Sequence, residues 1–311
     1  SGFASLVRFN NLDGGTIDSG TGSIVLQTTG AHSGTFNLIG NNVLFSGATH
    51  DFAAGATFNG VTNFSGATIN AAGATFNGPV NLTGGTINPG GTLTLNGGLN
   101  WTQGATLNGG TLNLAASSTS SFNAHTNGGH LVLNGVTVNN AGTVNYTSAG
   151  RELLINDSST FNNSGRFNFA SDGNVSELAG LGGNFNNSGT VAKTGGAGSS
   201  GFANFARFNN LNGGIVDSGT GTILLQTDGN HVGVFDIAGS NVRFNAGTHS
   251  FAAGATIHGV ANFAGATINT AGATFGGPVN LSGGSINQNS NTTLTLTNGL
   301  NWTSGASIAG G

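Results

Sequence analysis

The sequence predicts an all-β fold, a parallel β-helix (β-solenoid) with triangular coils of about 18–21 residues and three short strands per coil. A phrase repeats back to back: residues 55–72 read GATFNGVTNFSGATINAA, and residues 73–90 read GATFNGPVNLTGGTINPG. Large apolar residues recur within the phrase at even intervals, with Gly and Asn between them. Such spacing indicates short strands joined by tight turns, because Gly and Asn tolerate the positive φ that turns often need. The longer units after residue 90 favour a right-handed coil over a left-handed hexapeptide helix of strict 18-residue turns.

The composition supports a packed core and narrows the function classes. Charged residues make up 5% of the 311 residues, against roughly 25% in an ordinary globular domain. The 36% of hydrophobic residues, including 21 Phe, are regularly spaced, which argues against low-complexity disorder. Gly does not fall at every third position, so collagen is excluded.

Several partners and cofactors are not expected. The six Lys and Arg residues are scattered, so a surface that follows nucleic-acid phosphates is not predicted. No stretch of 18 apolar residues occurs, so no membrane span is expected. Cys is absent, which excludes disulfides and thiolate metal sites. We expect no cofactor.

Stacking the repeated phrases predicts three columns of core residues, each pointing to the inside of the coil. The columns contain Phe58, Phe76 and Leu95; Phe64, Leu82 and Trp101; and Ile69, Ile87 and Leu107, with Ile257 in the place of Phe58 in a second copy. The same spacing extends the first column through Leu114, Leu133 and Ile155, the second through Phe122, Val138 and Phe161, and the third through Val144 and Phe167.

Asparagines just before the second-column residues predict hydrogen-bonded ladders. When coils stack in register, such side chains align along the axis, where one amide donates to the next. The predicted ladders are Asn63, Asn81 and Asn100, and in the second copy Asn262, Asn280 and Asn301.

A longer repeat encloses the short one. Residues 2–87 match residues 201–286 at a constant offset of 199, so 1–199 is a first long repeat and 200–311 a partial second one. We expect one continuous solenoid over 1–311 with no separate domain. Residues 174–200 are the least regular and are expected to form a longer coil or a protruding loop. Neither terminus resembles a cap, so we expect both ends to be continued, by the same chain or by another copy stacked on it.

These phrases resemble the β-solenoid regions of large secreted bacterial surface proteins. The N-G, G-G-T-[IL] and T-L-x-L-N-G phrases are similar to those of filamentous-haemagglutinin-type adhesins and of proteins with autotransporter-associated β-strand repeats. The resemblance implies a right-handed parallel β-helix, export to the cell surface or medium, and a role as a stalk, adhesin or matrix fibre. The two-partner-secretion signature N-P-N-G is absent; residues 88–91 read NPGG.

Catalytic and metal sites are not predicted. The densest charged group, Arg151, Glu152, Asp157, Arg166 and Asp172, is interpreted as a surface ion-pair cluster. Two acids that are present in one long repeat are replaced in the other: Asp13 corresponds to Asn212, and Asp51 to Ser250. The seven His residues lack metal-binding spacing; His50 and His249 lie two residues before a Phe and are expected to be partly inward. Trp101 and Trp302 are interpreted as core residues.

The sequence therefore predicts a structural extracellular protein and no enzyme. We expect a fibre, stalk or matrix filament, formed by coil stacking and in contact with further copies of itself. The alternative is an adhesin that binds a carbohydrate or surface receptor, with a recognition loop near 174–200. A third hypothesis is a polysaccharide lyase or hydrolase, which would need carboxylates gathered on one face.

Overall fold

The computed structural model describes residues 2–3, 8–102, 104–125, 129–148, 150–178, 181–303 and 305–310. These residues form 40 strands and no helix. All of the described strand pairs are parallel, and the strands stack as a β-solenoid of about 14 turns, which confirms the predicted fold class. The chain divides into two compact units, residues 1–160 and 161–311.

The first unit contains twenty strands. They are β1 (Gly2–Phe3), β2 (Thr16–Asp18), β3 (Ile24–Leu26), β4 (Gly30–His32), β5 (Thr35–Ser46), β6 (Thr49–Phe52), β7 (Thr57–Ser65), β8 (Thr68–Ala71), β9 (Thr75–Phe76), β10 (Val80–Thr83), β11 (Thr86–Asn88), β12 (Thr92–Leu95), β13 (Leu99–Thr102), β14 (Thr106–Asn108), β15 (Thr111–Leu114), β16 (Thr119–Ala124), β17 (Leu131–Asn134), β18 (Thr137–Asn140), β19 (Thr143–Ser148) and β20 (Leu153–Asn156).

The strands from β21 onward belong to the second unit, apart from the first residue of β21. They are β21 (Thr160–Asn163), β22 (Arg166–Phe169), β23 (Asn174–Ser176), β24 (Asn184–Asn187), β25 (Thr190–Lys193), β26 (Ser199–Phe202), β27 (Arg207–Asn210), β28 (Ile215–Asp217), β29 (Thr222–Leu225), β30 (Gly229–His231), β31 (Val234–Phe244), β32 (Thr248–Phe251), β33 (Thr256–Phe263), β34 (Thr267–Thr270), β35 (Thr274–Phe275), β36 (Val279–Leu281), β37 (Gly284–Gln288), β38 (Thr295–Leu296), β39 (Leu300–Trp302) and β40 (Ala306–Gly310).

Most coils have three separate strands as their sides, so that a strand pairs with the third strand before it and the third strand after it. Thus β10 lies between β7 and β13, β11 between β8 and β14, and β12 between β9 and β15. In β5 and β31, two sides of a coil join into one long strand, and the register shifts at the bend. The hand of the coil remains a prediction.

Glycine at one corner lets successive coils approach each other. A Cβ on Gly78 would lie 2.1 Å from the carbonyl oxygen of Gly60, and a Cβ on Gly97 would lie 2.3 Å from the carbonyl carbon of Gly78. No real side chain tolerates such distances, so this column of glycines is a steric requirement of the stack. Gly60 also has a φ of 122°, a conformation that residues with a Cβ rarely adopt.

The repeated phrase places aromatic rings face to face in the first unit. Phe58 stacks on Phe36 at a centroid distance of 4.6 Å and on Phe76 at 4.5 Å, with 8° between the ring planes in both pairs. On the other two sides, Leu82 lies between Phe64 and Trp101, and Ile87 lies between Ile69 and Leu107. All of these side chains are buried, and each contributes roughly 1.5–3 kcal/mol of burial free energy.

The prediction that the columns continue through Leu133 and Val138 is wrong. Leu133 aligns with Leu107 in the third column, and Val138 aligns with Leu112, so each of them lies one side earlier in the coil than predicted. The cause is a longer coil: Asn139 bonds to Asn113 at a separation of 26 residues, whereas Asn81 bonds to Asn63 at a separation of 18. The extra residues lie between β16 and β17, where no apolar pattern marks an insertion.

The second unit repeats the arrangement. Ile257 lies between Phe235 and Phe275, as Phe58 lies between Phe36 and Phe76. The unit boundary after residue 160 does not coincide with the long-repeat boundary after residue 199. One uninterrupted solenoid over 1–311 remains a prediction. No helix long and apolar enough to cross a membrane occurs among the described residues.

The glycine corner yields a test of the stacking geometry. Replacing Gly78 with Ala should lower the free energy of unfolding by about 1–3 kcal/mol, because the coils must move apart. Replacing Gly91 with Ala is the control, since no heavy atom lies within 4 Å of its added Cβ. Denaturant unfolding followed by circular dichroism measures both variants. Equal midpoints for Gly78→Ala and Gly91→Ala would contradict the assigned stack.

Candidate functional site

Amide ladders run along the outside of the coils at the asparagines singled out in the sequence. Asn81 donates from Nδ2 to Oδ1 of Asn63 at 2.7 Å, and Asn100 donates to Asn81 at 2.7 Å. In the second unit, Asn280 donates to Asn262 at 2.8 Å, and Asn301 donates to Asn280 at 2.8 Å. The side chains of these ladders are partly exposed, so each bond competes with water and stabilises the stack modestly.

The sequence analysis missed further ladders of the same kind. They follow the first- and third-column residues and comprise Asn59, Asn77 and Asn96; Asp51, Asn70, Asn88, Asn108 and Asn134; Asn113 and Asn139; Asn162, Asn186 and Asn209; and Asn269 and Asn287. Their signal was present, because T-F-N and T-I-N occur at one position in successive phrases.

A third kind of ladder lies inside the second unit. Asn163 donates to Oδ1 of Asn187 at 2.8 Å, Asn187 donates to Asn210 at 2.9 Å, and each is at most 1% exposed. Each amide also donates to the backbone carbonyl of the residue with which a strand of the following coil begins. The sequence signal is a pair of asparagines shortly before a Gly, of which the second turns inward. Buried and fully bonded amides of this kind hold neighbouring coils in a single register.

Two histidines continue this buried polar chain. The backbone N–H of Asn210 donates to Nδ1 of His231 at 3.4 Å, and Nε2 of His231 lies 3.1 Å from Nδ1 of His249. Nε2 of His249 lies 3.1 Å from the carbonyl oxygen of Ala246. A backbone N–H only donates and a carbonyl only accepts, so both imidazoles are assigned the neutral form protonated on Nε2.

The first unit contains the equivalent pair. The backbone N–H of Asn11 donates to Nδ1 of His32 at 3.3 Å, and Nε2 of His32 lies 3.4 Å from Nδ1 of His50. Nε2 of His50 has no hydrogen-bond partner among the described residues, although the side chain is buried. His32 and His231 occupy the inner position that asparagine holds in neighbouring coils. The sequence predicted His50 and His249 to be partly inward and missed their partners.

Burial keeps these histidines neutral. Loss of hydration lowers the pKa of His32, His50 and His249 to about 4, and it lowers the pKa of His231 well below the ordinary value of 6.5. The neighbouring imidazole lowers the pKa of His32 and of His231 further. An added proton would also face a donor, because Nδ1 of His231 already accepts from Asn210. Both pairs are therefore core histidines that bond to each other in the neutral form.

Residues 174–200 contain β23, β24, β25 and the start of β26, and Asn174 pairs with Gly201 at a separation of 27 residues. Two buried charged side chains anchor the segments between these strands, one of them at the loop of residues 181–183. The buried carboxylate of Glu177 accepts the backbone N–H groups of Leu181, Gly182 and Gly183 at 2.6–2.9 Å. Nζ of the buried Lys193 bonds to Asp172 at 2.7 Å and to the carbonyl of Gly195 at 2.7 Å. The hydrogen bond from Lys193 lowers the pKa of the Asp172 carboxyl. Both anchors fix the backbone that surrounds them.

A groove of 660 Å³ opens beside this loop within the second unit. Its walls include Leu181 from the loop, Phe205 from the next corner, and the side chains of Arg207 and Asp228. Phe205 is 68% exposed and Leu181 is 63% exposed, which is unusual for residues of this size in a chain whose other Phe side chains are mostly buried. Neither residue was predicted as a site residue.

The charged residues that were grouped in the sequence analysis fall on both compact units, and Asp172 forms an ion pair with Lys193. Arg151, Glu152 and Asp157 belong to the first unit, whereas Arg166 and Asp172 belong to the second. Nε of Arg166 donates to Oδ1 of Asn168 at 2.7 Å. No group of three or more metal-ligating side chains occurs among the described residues.

Comparisons with known proteins give no relative for the chain. No protein-family model matches it, and neither a curated protein nor a solved structure is significantly similar to it. The resemblance to adhesins and autotransporter-associated repeats therefore remains a prediction, while the β-solenoid itself is observed.

The buried ladder can be tested against its outer neighbour in the same strand. Asn187→Ala should lower the free energy of unfolding by about 2–4 kcal/mol, because Asn163 and Asn210 both lose a buried partner. Asn186→Ala is the matched control: its outer ladder bonds to Asn162 and Asn209 are of similar length but partly solvated, so a loss of about 0.5–1.5 kcal/mol is expected. Denaturant unfolding measures both, and equal losses would contradict the assigned role of the inner ladder.

The histidine pairs make stability depend on pH. The unfolded chain binds protons below a pKa of about 6.5, whereas the folded histidines resist protonation down to about 4, so stability is full above pH 6.5 and falls toward pH 4. Each histidine that stays neutral contributes a slope of up to about 1.4 kcal/mol per pH unit in that range.

The double variant His50→Ile and His249→Ile should flatten the slope, since Ile69 and Ile268 already occupy the adjacent positions in these columns. The measurement is the free energy of unfolding between pH 4.5 and pH 7 for both proteins. An unchanged slope in the variant would show that other groups cause the pH dependence.

Proposed function

We propose that the chain is a structural segment of an extracellular fibre or stalk, in which stacking of coils is the working interaction. Two properties of the structure support this. Within each unit the described strands pair with strands of the adjoining coils, and asparagine ladders join many of these coils, so a coil presents a matching surface to the next. The chain also carries few charges, so little opposes the approach of another strand edge.

The observation that carries the proposal is the contrast between two equivalent tryptophans. Nε1 of Trp101 donates to the carbonyl of Ala105 at 3.2 Å, and Nε1 of Trp302 donates to Ala306 at 3.2 Å, so both rings have the same local geometry. Trp101 is fully buried beneath the coil of Phe122, whereas Trp302 is 54% exposed. Trp302 therefore has the same local geometry as the buried Trp101.

The surface around Trp302 has the properties of a stacking face. Ile308 is 42% exposed, although Leu107 at the equivalent position is fully buried. Among the described residues, β38, β39 and β40 pair with a strand on one side only. A further coil on this face, from the same polypeptide or from a second copy, would bury both side chains and pair these edges, as β15 and β16 do against β12 and β13. Where the further coil comes from a second copy, repetition of this contact would produce filaments.

The proposal predicts self-association through the face of Trp302. The parent chain should form filaments visible by electron microscopy at high concentration, and its tryptophan emission should shift to shorter wavelength as Trp302 becomes buried. Trp302→Asp should abolish both effects. Leu211→Asp is the control, because Leu211 is an exposed apolar residue at a corner inside the stack. A parent chain that stays monomeric in sedimentation experiments at high concentration would overturn the proposal.

A further inference from the structure

Phe205 occupies a corner conformation that suits glycine. In the corners of residues 53–56 and 252–255, the fourth residue bonds back to the first, and the third is a glycine with φ of 98° or 90°. The corner of residues 203–206 has the same bond, but its third residue is Phe205, with φ of 56°. A bulky side chain at positive φ is unfavourable, so the fold gains nothing locally from phenylalanine here. Such an outlier points to a function for the side chain.

The turn holds the ring of Phe205 away from the core. Asn204 also has a positive φ, of 45°, and its carbonyl accepts the backbone N–H of Glu177 at 3.1 Å. Glu177 in turn binds the loop that carries Leu181. The corner and the loop are therefore joined through one buried residue, and the two exposed apolar side chains, Leu181 and Phe205, stand on a fixed backbone at the wall of the groove.

Polar side chains line the remainder of the groove, among them Asn204, Gln226 and Thr227. Arg207 and Asp228 face each other with 3.9 Å between Nη2 and Oδ2, and both side chains are about half exposed. The backbone N–H of Thr248 donates to Oδ1 of Asp228 at 2.8 Å and orients its carboxylate. The charges cancel, so the groove favours an uncharged ligand with many hydroxyl or amide groups.

We propose that this groove binds an uncharged oligosaccharide, with one pyranose ring lying on Phe205. A pyranose ring has an apolar face of C–H groups, which packs on an aromatic ring, and a rim of hydroxyls, which bond to planar amide, guanidinium and carboxylate groups. Both kinds of partner are present, and 660 Å³ is within the range of about 300–1,000 Å³ for small-molecule sites. An apolar peptide fits less well, because most of the side chains in the walls are polar.

Three variants separate the contribution of the Phe205 ring to binding from the effect of its strained backbone. Phe205→Gly removes the ring and relieves the positive φ, whereas Phe205→Leu keeps the strain and an apolar side chain but lacks an aromatic face. Ala48→Gly is the control: Ala48 also has a positive φ, of 54°, and lies on the first unit. Isothermal titration calorimetry would use tetrasaccharides of glucose, mannose and N-acetylglucosamine, an anionic galacturonate tetrasaccharide, and a hexapeptide of Leu and Phe.

The expected result is binding of at least one uncharged tetrasaccharide to the parent and to Ala48→Gly. Phe205→Gly and Phe205→Leu should weaken that binding at least about tenfold, the loss of roughly one ring-stacking contact. The melting temperature of Phe205→Gly should equal or exceed that of the parent, so unfolding would not explain the loss. Binding of the peptide or the galacturonate alone, binding of no probe, or equal binding by all variants would each overturn the proposal.

Discussion

The whole structure depends on the parallel, in-register stacking of one coil on the next. The strand spacing of about 4.8 Å fixes how far apart equivalent residues lie, and every other feature follows from that distance. Phenylalanines of adjacent coils stack face to face because their ring spacing matches it, and amides donate to one another for the same reason. Glycine is required at the corner of Gly60 and Gly78 because the backbones come within contact distance there.

The solenoid core contains polar side chains, and the second unit shows how they are accommodated. Asn163, Asn187 and Asn210 enter the interior only where each finds an amide above or below and a carbonyl beside it. His231 ends the series because its Nδ1 accepts the backbone N–H of Asn210 and its Nε2–H donates to Nδ1 of His249. The interior thus fixes the register of the coils in addition to burying apolar side chains. A shift of register would take these amides and imidazoles away from their hydrogen-bond partners.

The back-to-back phrase made the early columns predictable, because Phe58 and Phe76 lie 18 residues apart and Leu95 follows after 19. The prediction failed at Leu133 because a lengthened coil leaves the apolar pattern intact while moving it to another side. The buried histidines and inner asparagines were harder to predict. The alternation of apolar and polar residues along a strand assigns polar side chains to the outside unless a buried partner is known in advance. Phe205 could not have been identified, because exposure of a phenylalanine in a core-rich sequence depends on the φ of its corner.

The outer and inner amide rows of the second unit point in opposite directions. In the outer rows the later coil donates to the earlier one, as Asn209 does to Asn186, whereas Asn163 and Asn187 in the inner row donate to the later coil. Each row is a chain of aligned dipoles, so the inner row opposes the axial field of the outer rows. Where no further amide follows, the last NH₂ group of a row donates to a backbone carbonyl, as Asn63 does to Val43 and Asn210 does to Val234. A solenoid built from such rows has a direction along its axis, so its first and last coils differ chemically.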